Sequence, residues 1–85
     1  MKTQESVDPT DVVVRALATE LKASEEEIRA ARSLKTDLNM DSIAAVNVAF
    51  MIEDEYDVEI DIDENDKFDS VEAIVAIVRR VLEAR

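Results

Sequence analysis

Cysteine, histidine and glycine are all absent from this sequence. Without cysteine and histidine the chain cannot form disulfide bonds, thiolate nucleophiles, imidazole bases or most zinc and redox-metal ligand sets. Much of ordinary enzyme catalysis is thereby excluded. Without glycine, any left-handed backbone position has to be filled by Asn39, Asn65 or an aspartate.

Aromatic residues and long apolar runs are also scarce. Phe50, Tyr56 and Phe68 are the only aromatics among 85 residues. A domain of this size buries only about 60 to 65% of its unfolded surface, so we expect a thin core of Val, Ile, Leu and Ala. No apolar run approaches the ~18 residues of a membrane span, and the acidic start does not resemble a signal peptide. We therefore expect a cytoplasmic protein with no membrane span.

The net charge of -11 is concentrated in the middle of the chain. Residues 41–70 contain 11 acidic residues and 1 basic residue, against 8 and 6 in residues 1–40 and 2 and 3 in residues 71–85. This field opposes nucleic-acid and anionic-lipid partners and favours basic protein surfaces. A solvated acidic face that only maintains solubility is the simpler alternative.

Apolar periodicity predicts an all-α fold, a small four-helix bundle with three main helices and one short one. We predict a flexible tail over residues 1–8 and a single domain over 9–85. The main helices are expected at about 9–22, at 42–56, and from a cap at Asp69 or Ser70 to about Glu83.

Two segments between these helices are harder to assign. Residues 23–40 are expected to form a long loop anchored by Ile28, Leu34 and Leu38. The spacing of Ser24 and Glu27 fits a capping box, which would instead start a helix there. The acidic stretch 61–66 is expected to form a short helical turn at most.

The helix predicted at 42–56 has two apolar stripes. One contains Val48 or Ala49, Ile52 and Tyr56; the other contains Ile43, Val46 and Phe50. A bundle this small cannot easily bury both. Either the helix is covered on two sides, or the second stripe is exposed for a partner.

Ser42 stands where a loop enters this helix. A phosphate on such a serine would meet free backbone N–H groups and the positive end of the helix dipole. The alternative is that Asp41 and Ser42 are ordinary helix-capping residues.

These residues resemble the acyl carrier protein family. Its Asp-Ser-Leu signature is present as Asp41-Ser42-Ile43, preceded by Leu38. The acidic segment Glu53-Asp54-Glu55-Tyr56 and the following Ile60 also match the family pattern. The resemblance covers about residues 10–84, including the long loop between the first two main helices.

The resemblance implies a carrier rather than an enzyme. A phosphopantetheinyl transferase would use coenzyme A to attach 4'-phosphopantetheine to Ser42, and the thiol of this arm would carry acyl groups as thioesters. The setting would be fatty acid, polyketide or related lipid biosynthesis. Ser42 has no predicted base of its own, which suits a serine activated in another enzyme's active site.

The resemblance also implies a docking surface and an acyl pocket. Partners would be the transferase and acyl ligase, synthase or acyltransferase enzymes with basic docking patches, and the chain is expected to be a monomer. The docking residues would be Asp41, Ile43, Val46, Asn47, Phe50, Glu53 and Asp54, and the pocket would be lined by Val46, Ile52, Ile60 and Ile74.

The chain departs from the family pattern in three places. Asn39 replaces a glycine three residues before the serine, although asparagine tolerates the left-handed region. Ala44, Ala45 and Asn47 replace acidic residues after the signature, which favours a specialised carrier over a housekeeping one. Ile43 replaces leucine.

Two other functions fit parts of the sequence. The segment from Asp61 to Glu72 has oxygen ligands at the EF-hand positions of Asp61, Asp63, Asn65, Asp69 and Glu72, but Asp66 stands where that loop needs glycine. We therefore predict no metal site, with calcium binding as an alternative. An acidic helical adaptor that docks through the second main helix is the other alternative.

Overall fold

Five helices and no strands lie in the residues that the computed structural model describes, 8–60 and 68–84. The bundle is all-α, as predicted. Helix α1 packs against α2, α4 and α5. The helices are α1 (Thr10–Leu21), α2 (Glu25–Ala30), α3 (Leu34–Asp37), α4 (Ser42–Tyr56) and α5 (Val71–Ala84).

The three main helices lie where apolar periodicity placed them. Helix α4 has the predicted bounds, α1 is one residue shorter at each end, and α5 begins after Ser70, whose hydroxyl accepts the Ala73 N–H at 3.1 Å. Asp8 is attached to the bundle, because its Oδ1 accepts the Thr10 N–H at 3.0 Å and lies 3.2 Å from the Arg79 guanidinium. The rest of the predicted tail, residues 1–7, lies outside the described residues.

The loop predicted between the first two main helices contains two short helices, α2 and α3. The described residues thus contain two short helices in this segment beside the three main ones, within the all-α fold that was predicted. The capping box starts α2, with the Glu27 N–H donating to Ser24 Oγ at 3.0 Å and the Ser24 N–H donating to Glu27 Oε1 at 2.9 Å. Ile28 and Leu34 are fully buried and anchor the segment as predicted. The short turn predicted at 61–66 lies outside the described residues.

Three described residues take the left-handed backbone conformation: Lys22, Asn39 and Asp57. Asn39 and an aspartate were expected. Lys22 was not expected, because no local feature of its side chain favours this region. It ends α1, where its N–H donates to the Ala18 carbonyl.

The core is aliphatic, as the scarcity of aromatics predicted. It is formed mainly by α1, α4 and α5, and the described aromatic buried in it is Phe68. Burying one aliphatic side chain of this size stabilises the fold by about 1.5 to 3 kcal/mol. The core residues of these helices that have no solvent-exposed surface are Val13, Val14, Leu17, Val48, Ile52, Ile74 and Val78.

Candidate functional site

Helix α4 begins at Ser42 because Asp41 caps it. The Asp41 backbone is extended, and its Oδ1 accepts the Ala44 N–H at 2.8 Å. The Asp41 carbonyl accepts the Ala45 N–H at 3.0 Å. Because Asp41 supplies the cap, the exposed side chain of Ser42 is not needed for it. The structure therefore identifies Asp41, and not Ser42, as the residue that caps α4.

The other described serines are used to begin helices. Ser24 Oγ accepts the Glu27 N–H, Ser33 Oγ accepts the Thr36 N–H at 3.2 Å, and Ser70 Oγ accepts the Ala73 N–H. Within residues 8–60 and 68–84, the Ser42 hydroxyl has no hydrogen bond to another group of the chain. Ser42 is thus the described serine at the start of a main helix whose hydroxyl has no hydrogen-bond partner among the described residues.

The turn before Ser42 is fixed by the backbone. Asn39 has φ 57, and on either side of it the N–H groups of Leu38 and Met40 both donate to the Leu34 carbonyl, at 3.1 and 3.0 Å. The Met40 side chain is buried. Asparagine accepts the left-handed conformation at this position, so the replacement of glycine leaves the turn intact.

The outer face of α4 beside Ser42 is apolar. Ile43 is 71% exposed, Val46 40% and Phe50 60%, whereas Val48 and Ile52 on the opposite face are fully buried. Of the two interpretations of this helix, the structure supports the exposed stripe. We call Ile43, Val46 and Phe50 the exposed stripe below. Large apolar side chains exposed in a row commonly mark a protein interaction surface.

Comparison with known proteins agrees with this geometry. The family described as "Phosphopantetheine attachment site" matches residues 11–78. "Acyl carrier protein 3" of Ralstonia nicotianae is 32% identical over 75 residues, which cover 88% of this chain and 86% of that protein. The chain belongs to the acyl carrier protein family. No solved structure matches the chain.

Membership in this family establishes the general role. Acyl carrier proteins carry acyl groups on covalently attached 4'-phosphopantetheine, and the matched domain is its attachment site. Such carriers work with a phosphopantetheinyl transferase and with synthase or transferase enzymes. None of the helices in the described ranges has the length and apolar character needed to cross a bilayer.

The acidic docking residues predicted for this carrier differ in their surroundings. Asp54 is exposed, whereas Glu53 is half-buried and its Oε2 accepts the Ile60 N–H at 2.6 Å. Asp41 is exposed but caps α4. The Asn47 amide donates to Glu20 on α1 at 2.9 Å. Glu53 and Asn47 therefore have structural contacts in addition to the docking role predicted for them.

The residues predicted to line the acyl pocket do not all lie together. Ile52, Ile60 and Ile74 belong to the buried core. Val46 lies on the outer face instead, because it shares the helical register of Ile43 and Phe50. Val46 was predicted for both the docking surface and the pocket; it lies in the exposed stripe, and its contact with an acyl chain stays a prediction.

Asp69 has contacts that the sequence did not predict. Its Oδ2 accepts the Ser33 hydroxyl at 2.8 Å and its Oδ1 accepts the Lys35 N–H at 2.8 Å. Partial burial raises the pKa of Asp69, but these hydrogen bonds and the Lys35 charge outweigh it, so the net pKa lies below the usual 3.8. No local signal in the sequence pairs residues so far apart along the chain.

These contacts bear on the calcium alternative. In that alternative Asp69 is one of the oxygen ligands, yet both of its carboxylate oxygens already accept hydrogen bonds from the segment around α3. Glu72 is exposed in the first turn of α5. Residues 61–67, which include the remaining proposed ligands, lie outside the described residues.

Proposed function

We propose that this chain is a discrete, non-catalytic acyl carrier with its 4'-phosphopantetheine arm on Ser42. Its acyl intermediates belong to fatty acid, polyketide or related lipid biosynthesis, in a specialised rather than a housekeeping pathway. We propose that it acts as a monomer in the cytoplasm. The supporting observation is the serine at the start of α4, whose capping function has been taken over by Asp41.

The start of α4 fits a phosphodiester on Ser42. Ser42 is exposed, and its hydroxyl has no hydrogen-bond partner among the described residues that a substituent would have to replace. Ser42 and Ile43 occupy the first two positions of a 15-residue helix, where backbone N–H groups lack partners within the helix. These groups and the helix dipole favour a negative phosphate there. The arm itself would supply the thiol that forms the acyl thioester.

The exposed stripe is proposed as the surface that carrier partners bind. Ile43 is next to Ser42, and Phe50 lies two turns further along the same helix. Asp54 continues this face, at about 18 Å from Ser42 along the helix axis at 1.5 Å per residue. A partner would bring an apolar pocket to the stripe and a basic group to Asp54, while Asp41 and Glu53 add charge at either end.

The distribution of charge on α4 supports a specialised carrier. From Ser42 to Ile52 no residue is charged, and the acidic residues Glu53, Asp54 and Glu55 follow only in the last turns. Partners that depend on basic contacts close to the modified serine would find no complementary charge beyond Asp41. We therefore propose a dedicated ligase or synthase whose docking surface is mainly apolar near the arm.

We also propose that a bound acyl chain enters the core beside Ile52, Ile60 and Ile74. These side chains are buried together and apolar. The Ile60 N–H donates to Glu53 near the end of α4, which holds Ile60 beside this helix.

The attachment site is tested by incubating the protein with coenzyme A, magnesium and a broad-specificity phosphopantetheinyl transferase. Intact mass is then measured for the wild type, for Ser42→Ala and for Ser24→Ala. Ser24→Ala is the matched control, because it removes a serine hydroxyl that caps α2 and leaves α4 unchanged. We expect one phosphopantetheine on the wild type and on Ser24→Ala, and none on Ser42→Ala.

Two outcomes would contradict the proposal. A phosphopantetheine on folded Ser42→Ala would place the arm elsewhere. If no variant gained mass with several transferases of different specificity, the carrier role itself would be rejected, and a calcium titration would then test the alternative at Asp61 to Glu72.

A further inference from the structure

Helix α3 has only four residues and is held mainly by groups outside it. The N–H of Leu34 donates to the Asp69 carbonyl at 2.7 Å, and the N–H of Lys35 donates to the Asp69 carboxylate at 2.8 Å. Ser33 donates its hydroxyl proton to the same carboxylate and accepts the Thr36 N–H. Most N–H groups of the first turn of α3 are thus satisfied by Asp69 or by a serine that Asp69 orients.

The same short helix determines the approach to Ser42. The Leu34 carbonyl accepts the N–H groups of Leu38 and Met40, and Leu34 and Met40 are both buried. Asp41 follows Met40 directly and caps α4. A continuous series of hydrogen bonds therefore runs from Asp69, just before α5, through Leu34 to the residue two positions before Ser42.

We infer that Asp69 is a positioning residue for Ser42, holding α3 so that the turn at Asn39 presents the serine to the modifying enzyme. This inference rests on the proposed attachment of the arm to Ser42. Asp69 would contact neither the arm nor its donor. Its role is to fix the backbone that leads into α4, because a four-residue helix is not stable without outside partners.

Asp69→Ala would remove the two side-chain hydrogen bonds, from the Ser33 hydroxyl and the Lys35 N–H, and keep the bond from the Leu34 N–H to the backbone carbonyl. The first turn of α3 would then lack its carboxylate partner. We expect kcat/KM for the transfer of phosphopantetheine to Ser42 to fall by about tenfold to a hundredfold, the scale reached when a reacting group is misplaced by ~1 Å. Asp69→Asn keeps the size of the side chain and one carbonyl acceptor, so it should recover most of the rate. Rates are normalised to the folded fraction of each variant.

Asp8→Ala is the matched control. Asp8 also accepts a backbone N–H and a hydroxyl proton at the start of a helix, but that helix is α1. Its loss should leave the kinetics of Ser42 modification unchanged. If Asp8→Ala slowed the transfer as much as Asp69→Ala, the effect would be a general loss of stability and the inference would be overturned.

Hydrogen exchange measured on the unmodified protein separates this inference from the proposed function. In Asp69→Ala the amides of Lys35 and Met40 should exchange at least about tenfold faster, while those in the middle of α4 and α5 keep their protection. Unchanged exchange at Met40, or unchanged kcat/KM in folded Asp69→Ala, would overturn the inference. Wild-type protein that accepts no arm would overturn the proposed function instead, and the exchange data would still decide whether Asp69 holds the turn.

Discussion

Helices α4 and α5 have nearly the same length, 15 and 14 residues, but different surfaces. In α5 the apolar side chains Ile74, Ile77 and Val78 are buried, and charged residues including Arg79 and Arg80 are exposed. Helix α4 has buried apolar side chains on one face and, in addition, the exposed stripe on the opposite face. Folding requires only one apolar face of a helix at the edge of a small core.

The difference identifies the large apolar residues of α4 that the core does not bury. The exposed stripe gains little from burial within this chain, whereas Val48 and Ile52 are fully buried. The stripe begins beside Ser42 and ends before the acidic last turn. This supports the proposal that the exposed stripe of α4 binds partners, whereas the buried residues Ile74, Ile77 and Val78 of α5 contribute to stability.

The largest expected effect is on the buried faces, where the two helices should behave alike. Ile52→Ala in α4 and Ile74→Ala in α5 should each lower the free energy of unfolding by about 2 to 5 kcal/mol, because each leaves a cavity in a thin core. Chemical denaturation followed by circular dichroism measures the change. A loss below about 1 kcal/mol for either variant would show that its side chain is not in a tightly packed core.

The exposed stripe should separate binding from stability. Phe50→Ala should change the free energy of unfolding by no more than about 0.5 kcal/mol, the usual range at exposed positions. The same change should lower kcat/KM for phosphopantetheine transfer by about tenfold or more, as expected for an aromatic contact in an interface. Arg80→Ala on the exposed face of α5 is the control and should alter neither quantity. A large loss of stability in Phe50→Ala would mean that the stripe is part of the core.

The charge-free start of α4 predicts a weak dependence of transfer on salt. For the wild type, kcat/KM should change by only a fewfold between about 50 and 500 mM NaCl, a range over which screening becomes strong. Ala44→Glu adds one charge in the first turn, where the helix dipole tolerates an acid, and should steepen this dependence. Transfer rates of both proteins measured at a series of NaCl concentrations give this dependence. Equal slopes for both proteins would contradict the view that docking near Ser42 is mainly apolar.

The smallest expected effect concerns Asp8, which precedes α1 and forms an ion pair with Arg79 of α5. Hydrogen bonds from Thr10, followed by the contact with Arg79, hold the pKa of Asp8 below its usual 3.8. A lowered folded-state pKa means that this contribution to stability is present above about pH 4 and is lost as the pH falls through the folded-state value. Asp8→Asn should therefore be slightly less stable than the wild type at pH 7, and the difference should shrink as the pH falls below the usual 3.8. A difference that persisted in acid would exclude ionisation as its cause.

Much of this arrangement was predictable from the sequence. Asp41 and the two apolar stripes gave the bounds of α4, and Ser24 with Glu27 indicated the start of α2. Periodicity alone left the exposure of Ile43, Val46 and Phe50 open, because it shows that two faces are apolar but not which one is covered. The resemblance to the carrier family favoured the exposed stripe.

Other features depend on contacts between distant residues. The bonds from Ser33, Leu34 and Lys35 to Asp69 exist only once α3 and α5 are placed side by side. Glu53 was predicted as a partner contact from the resemblance, and its bond to the Ile60 N–H required knowledge of how the chain turns after α4. Lys22 could not be identified as left-handed, because its side chain favours no such conformation.

Peptide mapping after transfer locates the proposed attachment site most directly. No basic residue lies between Lys35 and Lys67, so trypsin releases residues 36–67 as one peptide, in which Ser42 is the only serine. After incubation with the transferase and coenzyme A, we expect one phosphopantetheine on this peptide, with fragment ions that assign it to Ser42. The same modification on Thr36, or on any other tryptic peptide, would contradict the assignment.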